Sequence, residues 1–211
     1  SLDKEGIAVP KEGWSLEEFY TICKKLTKDT NGDGQLDQFG STEYTWKEAL
    51  AANGGYLFQG GMLKLTSPEV KESLTFLQKL EDLNKNYKVS SKDFDQGKVA
   101  FYPMTLAQYR TYKPYPYHVS KYSNFTWTCI PMPAKSKTTK ATLVTTTSFA
   151  MSARSSHSKL AWELMQLLTE DPDIQQTLFA QSQGISVMPQ VVKSRSSKDL
   201  LQVDDFGTDS L

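Results

Sequence analysis

The first clear pattern of hydrophobic and polar positions begins at Ser15. Ser15 and Glu18 have the spacing of a capping box, in which the Ser15 hydroxyl accepts from the Glu18 N–H and the Glu18 carboxylate accepts from the Ser15 N–H. Apolar side chains then recur at three- and four-residue steps, as on one face of a helix: Leu16, Phe19, Tyr20, Cys23 and Leu26. The pattern predicts a helix of about three turns. We expect Cys23 on its buried face.

Start and stop signals predict two more helices in the first half of the chain. Thr45 and Glu48 form a second capping box, and Gly54 and Gly55 supply a left-handed stop, which predicts a short helix over about 46–53. Ser67 followed by Pro68 is a typical helix start. An apolar stripe follows that start: Val70, Leu74, Leu77 and Leu80. We expect this stripe to be buried.

Two helices are also predicted near the end of the chain. Another helical stripe predicts the first of them: Leu160, Ala161, Leu164, Met165 and Leu168. Asp171 and Pro172 cap the second, which is expected to run to about Gln181. The final residues, 204–211, are predicted to fray.

Three segments are rich in β-branched and aromatic residues and are therefore predicted to be strands: 99–102, 125–130 and 142–151. Between the first two lies a run rich in tyrosine and proline, and Pro103, Pro114 and Pro116 exclude a helix running through it. Strands mixed with helices indicate an α/β or α+β protein. A length of 211 residues allows one large domain or two small lobes.

The charge balance and cysteine content exclude several classes of protein. Lys and Arg number 24 and so do Asp and Glu, which gives a net charge of zero and argues against nucleic-acid binding. No apolar stretch reaches the roughly 18 residues that a membrane span needs, and the first residues do not resemble a signal peptide. The two cysteines, Cys23 and Cys129, are too few for a disulfide scaffold, and whether they pair is left open.

Catalytic motifs are scarce. The chain has only two histidines, His118 and His157, which are most simply surface residues, and Ser148, Ser152 and Ser155 have no nearby candidate base. Aromatic residues, by contrast, make up 11% of the chain, and many lie outside the predicted helices. The sequence therefore favours a binding protein over an enzyme.

The segment 29–37 resembles a calcium-binding loop. Oxygen-bearing side chains occupy the first, third, fifth and ninth positions, glycine the sixth, and a backbone carbonyl is expected at the seventh: Asp29, Asn31, Asp33, Asp37, Gly34 and Gln35. Gly40 stands at the twelfth position, where an EF-hand has a bidentate glutamate, and Gln38 or Glu43 would compensate only in part. The sequence leaves open whether this loop binds a structural calcium ion or is a metal-free turn.

Five motifs in order along the chain resemble those of the extracellular solute-binding proteins of sugar ABC transporters, the maltose-binding-protein-like family. They are WSLEEF (14–19), KDTNGDGQLDQFG (28–40), EYTW with ANGGYLF (43–46 and 52–58), FDQGKVAF (94–101), and KLAWEL with LT before Gly184 and Pro189 (159–164 and 168–169). The resemblance implies a type II periplasmic-binding-protein-like α/β fold. It also implies family members about twice as long as this chain, so that most of an N-terminal lobe is expected to be absent.

The resemblance implies a domain division and a function. Residues 1–101 and 152–203 correspond to the C-terminal lobe, and 102–151 to a segment that belongs to the N-terminal lobe. The implied function is to bind a sugar or oligosaccharide between two lobes and deliver it to the permease of an ABC importer, without catalysis. The implied location is the surface of a Gram-positive bacterium, through a lipid anchor absent from this chain, or the periplasm, and the implied state is a monomer.

The resemblance also implies the ligand-binding residues. Glu43 and Tyr44 fall where family members contact ligand, with Trp46 beside them, and aromatic faces with polar acceptors suit sugar rings. The family usually continues with a glycine and a sugar-stacking tryptophan, where this chain has Thr105 and Ala107. The residues expected to contact the ligand in their place are Tyr102, Gln108 and Tyr109. Tyr112 and Tyr115 are the next candidates.

The alternative to a transport protein is a calcium-stabilised extracellular interaction or adhesion module. In that case the aromatic loops would contact a protein or another solute. Saturable sugar binding would distinguish the transport protein from this alternative, whereas calcium dependence would not.

Overall fold

The computed structural model describes residues 2–112, 125, 127–136, 143–181 and 184–197. Its helices are α1 (Leu16–Leu26), α2 (Trp46–Ala52), α3 (Pro68–Glu81), α4 (Ser91–Asp95), α5 (Leu106–Tyr112), α6 (Ser158–Glu170), α7 (Pro172–Gln181) and α8 (Pro189–Val192). Its strands are β1 (Phe39–Ser41), β2 (Phe58–Gln59), β3 (Met62–Leu63) and β4 (Val99–Phe101), and Asp3–Glu5 and Asp82–Asn84 are short 3-10 turns. None of the helices in these ranges is long and apolar enough to cross a membrane.

The predicted capping boxes are confirmed. The Glu18 N–H donates to the Ser15 hydroxyl at 3.1 Å, and the Ser15 N–H donates to the Glu18 carboxylate at 2.6 Å. Thr45 and Glu48 form the second box at the start of α2. The Ser67 hydroxyl accepts the Val70 N–H at 3.3 Å and caps α3. These helices begin where predicted because each start depends on residues only three positions apart.

The strands form two small sheets. β1 and β4 pair in parallel, with Phe39 opposite Val99 and Ser41 opposite Phe101. β2 and β3 form an antiparallel hairpin. Parallel pairing brings the carboxyl ends of β1 and β4 to the same edge. The loops that follow β1 and β4 therefore start side by side.

Two of the three predicted strands are wrong as secondary structure. Residues 127–130 pair with no described strand, and the nearest described backbone pairing is the bridge between Ser15 and Ala134. Residues 143–151 are exposed and form no ladder with any described strand. A strand exists only when a neighbouring strand satisfies its N–H and C=O groups. A β-branched composition favours the strand conformation, but it does not show whether a neighbouring strand is present to pair with.

A helix also occurs where the sequence argued against one. α5 begins after Thr105, and the Thr105 hydroxyl accepts the Gln108 N–H at 3.1 Å. The residues between Pro103 and Pro114 are numerous enough for two turns of helix. The prolines therefore limit the length of a helix here without preventing one.

The helical stripes on α3 and α6 are less buried than predicted. Leu74 on α3 is 53% exposed, and Leu160 and Leu164 on α6 are 65% and 53% exposed. α3 instead turns Ser73 toward α2, where the Ser73 hydroxyl donates to the Ala49 carbonyl oxygen at 3.2 Å. The face of α3 that carries Ser73 therefore lies against α2, and Leu74 lies on the solvent side.

Phe19 lies at the centre of an aromatic core. Its ring centroid is 5.1 Å from that of Tyr44, 5.5 Å from Trp14 and 5.6 Å from Phe101. The core joins α1, β4 and the segment between β1 and α2. It fixes the positions of the residues that follow both parallel strands.

Both cysteines are free thiols, which answers the question of their pairing. Cys23 is 1% exposed on α1, as predicted, and burial raises the pKa of its thiol to about 12. Cys129 is half-buried, and burial raises the pKa of its thiol too. Neither thiol therefore readily loses its proton to form a thiolate.

Candidate ligand-binding site

A cavity of about 810 Å³ opens beside the parallel strand pair. Residues 99–104 form one wall, Trp14, Phe19 and Tyr44 form a second, and Phe125 with residues 127–133 forms a third. The volume is within the usual range for small-molecule sites, about 300–1,000 Å³. Ligands of open α/β sheets bind outside the carboxyl ends of the strands, and Tyr44 and Tyr102 follow β1 and β4 there.

Trp14 holds the third wall in place. Its indole Nε1–H donates to the Pro131 carbonyl oxygen at 2.7 Å, and its own carbonyl oxygen accepts the Ala134 N–H at 3.2 Å. Residues 127–133 thus run along the cavity although they form no strand. The tryptophan also packs on Phe101, with ring centroids 5.5 Å apart.

Tyr44 lines the cavity but is 7% exposed, with its ring in the aromatic core. Its hydroxyl is buried and has no hydrogen-bond partner among the described residues. Burial, followed by the charge of Glu48, raises the pKa of this phenol, so it stays protonated. A buried hydroxyl to which nothing bonds lowers the stability of the fold.

Tyr102 lines the cavity and is held by neighbours on two sides. The Gln108 amide Nε2–H donates to the Tyr102 hydroxyl at 2.9 Å, and the Phe94 ring lies 5.4 Å from the Tyr102 ring. Burial is the main cause that raises the pKa of Tyr102, and the charge of Glu43 adds to it. Its ring is therefore fixed in orientation at the cavity wall.

Four of the six predicted ligand-binding residues do not line the cavity. The Gln108 side chain caps α5, because its Oε1 accepts the Thr105 N–H at 2.8 Å, and its Nε2 orients Tyr102. Tyr109 is buried and packs edge-on against Trp127, with centroids 6.3 Å apart. These two residues support the cavity from behind. The side chain of Tyr112 and the whole of Tyr115 lie outside the described residues.

The other two lie on the surface: Glu43 between β1 and α2, and Trp46 at the first position of α2. Glu43 has a left-handed backbone, with φ of 52°, and its carboxylate accepts the Ser91 N–H at the start of α4, at 2.9 Å. Trp46 is 42% exposed, with the Lys47 ammonium 5.8 Å from its ring centroid. Glu43 thus links the loop after β1 to α4.

Trp127 and Met104 line the cavity and were missed as site residues. Trp127 was assigned to a strand, and Met104 lies beside Pro103 without a motif of its own. Their positions in the sequence could have identified them. Met104 lies two residues after Tyr102, and Trp127 follows the tyrosine-rich run. Residue type alone does not distinguish a core tryptophan from one at a site.

In loop 29–37 the candidate calcium ligands serve as hydrogen-bond acceptors. The Asp29 carboxylate accepts the N–H groups of Gly34 and Gly32, at 2.7 and 2.6 Å. The bond from Gly34 is the main cause that lowers the pKa of Asp29. The Asp37 carboxylate accepts from the Thr30 N–H and hydroxyl. The loop is a tight turn fixed by its own side chains.

The side chains of this loop bond to the loop's own backbone. No group of three or more His, Cys, Asp or Glu side chains in the ranges that the structure describes is gathered to hold a metal. Asp33 Oδ1 accepts the Gln35 N–H at 2.8 Å, and Asn31 Oδ1 accepts the Asp33 N–H at 2.9 Å. Calcium would have to replace bonds of this kind.

Tyr44→Phe tests the unpartnered hydroxyl. We expect the substitution to raise the free energy of unfolding by about 1 kcal/mol, since an unsatisfied buried polar group costs roughly 1–3 kcal/mol. Tyr102→Phe is the matched control: it removes a hydroxyl bonded to Gln108 and is expected to lower that free energy by about 1 kcal/mol. Urea denaturation measures both. Equal losses of stability in the two variants would show that the Tyr44 hydroxyl has a partner.

An α/β fold with a cavity beside its parallel strands is typical of proteins that bind small molecules. The chain belongs to the family described as bacterial extracellular solute-binding protein, whose pattern matches residues 2–203. No curated protein matches the chain in sequence.

Two solved structures share the fold. One is the maltose/maltodextrin-binding domain MalE from Bdellovibrio bacteriovorus bound to maltotriose, with 24% identity, a TM-score of 0.62, and coverage of 93% of this chain and 53% of that one. The other is an ABC substrate-binding protein from Listeria monocytogenes in complex with cycloalternan, with 17% identity, a TM-score of 0.64, and coverage of 94% and 51%. The predicted type II periplasmic-binding-protein-like α/β fold is confirmed. The chain spans about half the length of these two structures.

Proposed function

We propose that the chain is part of the substrate-binding component of an ABC importer, which binds a sugar or oligosaccharide and delivers it to the permease. The observation that carries the proposal is the position of Tyr44 and Tyr102. Both follow parallel strands, and both line one aromatic-walled cavity. Family membership supports solute binding outside the cytoplasm.

The chemistry of the cavity wall supports a sugar as the solute. Sugar rings present apolar faces to aromatic rings and hydroxyls to polar groups. Tyr102 offers a ring in fixed orientation at the cavity wall. The two proteins of like fold are described with maltotriose and cycloalternan, both of them carbohydrates.

The mechanism that we propose is lobe closure over the ligand, without chemical change. Residues 1–101 and 152–203 would form the C-terminal lobe, and 102–151 would belong to the other lobe. Glu43, in the C-terminal lobe, would act between them, because its charge is close enough to Tyr102 to raise the pKa of that phenol. We propose a monomer at the surface of a Gram-positive bacterium, anchored by lipid, or in the periplasm.

A thermal-shift screen of the full-length protein against a sugar library tests the proposed function. A ligand that binds only the folded state raises the melting temperature, by an amount that grows with its concentration. We expect a saturable rise for one class of sugar. Amino acids and short peptides at equal concentration are the control ligands. A folded protein that responds to no sugar, or to a control ligand instead, would overturn the assignment.

Calcium binding by loop 29–37 stays a prediction, which chelation tests. If Asp29, Asn31, Asp33 and Asp37 hold the ion, EDTA is expected to lower the melting temperature of the wild type. Asp33→Ala is expected to abolish that difference. Glu81→Ala, at the exposed end of α3, is the matched control and should keep the response. An EDTA-insensitive melting curve for the wild type would refute the prediction.

A further inference from the structure

The backbone of Glu43 has a conformation that residues other than glycine rarely adopt. Its φ is 52°, in the left-handed region, which Lys85 and Asn86 share among the described residues that are not glycine. Lys85 and Asn86 lie in an exposed turn, whereas Glu43 lies between the buried residues Thr42 and Tyr44. Such a conformation persists only where surrounding contacts hold it. The contacts of the Glu43 carboxylate therefore indicate what this conformation serves.

The first of these contacts fixes the start of α4. The carboxylate accepts the N–H of Ser91, the first residue of that helix, at 2.9 Å. This N–H has no partner within a helix, so a side-chain acceptor there holds the helix end in place. Phe94 in the same helix is buried, and its ring centroid lies 5.4 Å from that of Tyr102. Glu43 thus acts on the Tyr102 ring through α4.

The second contact is with the Tyr102 hydroxyl, which lies where three segments meet. The Gln108 Nε2–H donates to this hydroxyl at 2.9 Å, and the Glu43 and Ser91 side chains interact with it as well. Burial is the main cause that raises the pKa of Tyr102, and the charge and bonding of Glu43 raise it further. An ionised carboxylate can only accept, so the Tyr102 hydroxyl is the donor in this pair.

Both contacts of Glu43 lead to Tyr102, and Tyr102 lines the cavity whereas Glu43 does not. A ring that is held in its binding orientation before a ligand arrives saves the free energy of ordering it on binding. We propose that Glu43 is a positioning residue, which holds the Tyr102 ring in the orientation that stacks on a sugar without contacting the sugar itself. This inference rests on the proposed function and names a residue that sets its affinity.

Glu43→Gly tests the inference, because it removes the carboxylate and glycine adopts the left-handed backbone freely. The affinity of the full-length protein is measured by isothermal titration calorimetry with maltotriose, or, if maltotriose does not bind, with the sugar that gives the largest rise in the thermal-shift screen. We expect the affinity to fall about fivefold. Glu43→Gln keeps the length and an acceptor oxygen, and its affinity should stay within about twofold of the wild type.

Lys85→Gly is the matched control. Lys85 has the same left-handed backbone, with φ of 48°, but it is exposed and does not line the cavity. Its replacement should leave the affinity unchanged. An affinity unchanged in Glu43→Gly as well would overturn the inference.

The same substitution in a Tyr102→Ala background shows whether Glu43 acts through the ring. Without a ring to position, Glu43→Gly is expected to change the affinity by less than about twofold. Direct contact between Glu43 and the sugar would instead keep the whole loss, because effects that share no partner add. That result would overturn the inference and leave the proposed function intact.

A measurement without a ligand separates the inference from the proposed function. Tyrosine labelled with 13C at Cζ gives one NMR signal for each ring, and the signal of Tyr102 is the one missing from Tyr102→Phe. Glu43→Gly is expected to move this signal, because the Cζ chemical shift responds to hydrogen bonding of the phenol, and Lys85→Gly should leave it in place. An unmoved signal in folded Glu43→Gly would overturn the inference whether or not a sugar binds. Absence of sugar binding to the wild type, with the signal moved, would overturn the proposed function alone.

Discussion

Phe19→Ala is expected to lower the free energy of unfolding by about 3–5 kcal/mol, the usual range for truncating a buried phenylalanine. Phe19 is 2% exposed and contacts the rings of Trp14, Tyr44 and Phe101. Its removal leaves a cavity among rings that position each other. Because Tyr44 and Trp14 also line the ligand cavity, we expect sugar binding to weaken in parallel.

Leu74→Ala is the control for this prediction. Leu74 is also an apolar residue at a helical position, but it is 53% exposed on α3. Its truncation is expected to change the free energy of unfolding by less than about 0.5 kcal/mol. Urea denaturation of both variants measures the difference. Similar losses in the two variants would contradict the arrangement of α3 and the aromatic core.

Gly40→Ala is expected to lower the free energy of unfolding by about 3 kcal/mol, at the upper end of the usual cost of overpacking. A Cβ on Gly40 would lie 2.6 Å from the Cys23 carbonyl oxygen and 2.5 Å from the Cys23 Cβ, and it would also meet the Cys23 Cα. Most of these atoms are backbone of α1, which cannot move aside as a side chain can. The close approach of β1 to α1 therefore requires glycine.

Gly55→Ala is the matched control for Gly40→Ala. Its Cβ would meet the Leu50 Cδ1 at 2.5 Å and the Glu69 Cβ at 2.8 Å, which are side-chain atoms. We expect a smaller loss of about 1–2 kcal/mol, because the Leu50 side chain can adopt another rotamer and only the Glu69 Cβ is fixed by the backbone. Thermal unfolding followed by circular dichroism measures both variants. A larger loss for Gly55→Ala would contradict the packing of α1 against β1.

Local signals in the sequence located the helices well. Ser15 with Glu18, Thr45 with Glu48, and Ser67 before Pro68 each specify a helix start through bonds over three residues. The strands were harder to predict, because residues 127–130 and 143–151 have β-forming composition but no partner strand in the described structure. Strand pairing joins residues far apart in sequence, as Phe39 and Val99 show.

Only part of the site was predictable, because its walls also join residues that are far apart in sequence. Tyr44 and Tyr102 were expected at the site and do line the cavity. Gln108 and Tyr109 were expected to contact ligand but lie behind the wall, a distinction that depends on the start and direction of α5. Trp14 was part of a recognised motif, but its hydrogen bond to Pro131, 117 residues away, is visible only in the folded chain.

Isothermal titration calorimetry of a sugar panel tests the central claim most directly, with the wild type and the variants Tyr102→Ala and Tyr56→Ala. Tyr102 lines the cavity, whereas Tyr56 is 66% exposed before β2 and does not line it. We predict saturable binding of one class of sugar to the wild type, binding at least about tenfold weaker in Tyr102→Ala, and unchanged binding in Tyr56→Ala. Absence of binding for every sugar, or equal affinity in the wild type and Tyr102→Ala, would contradict the claim.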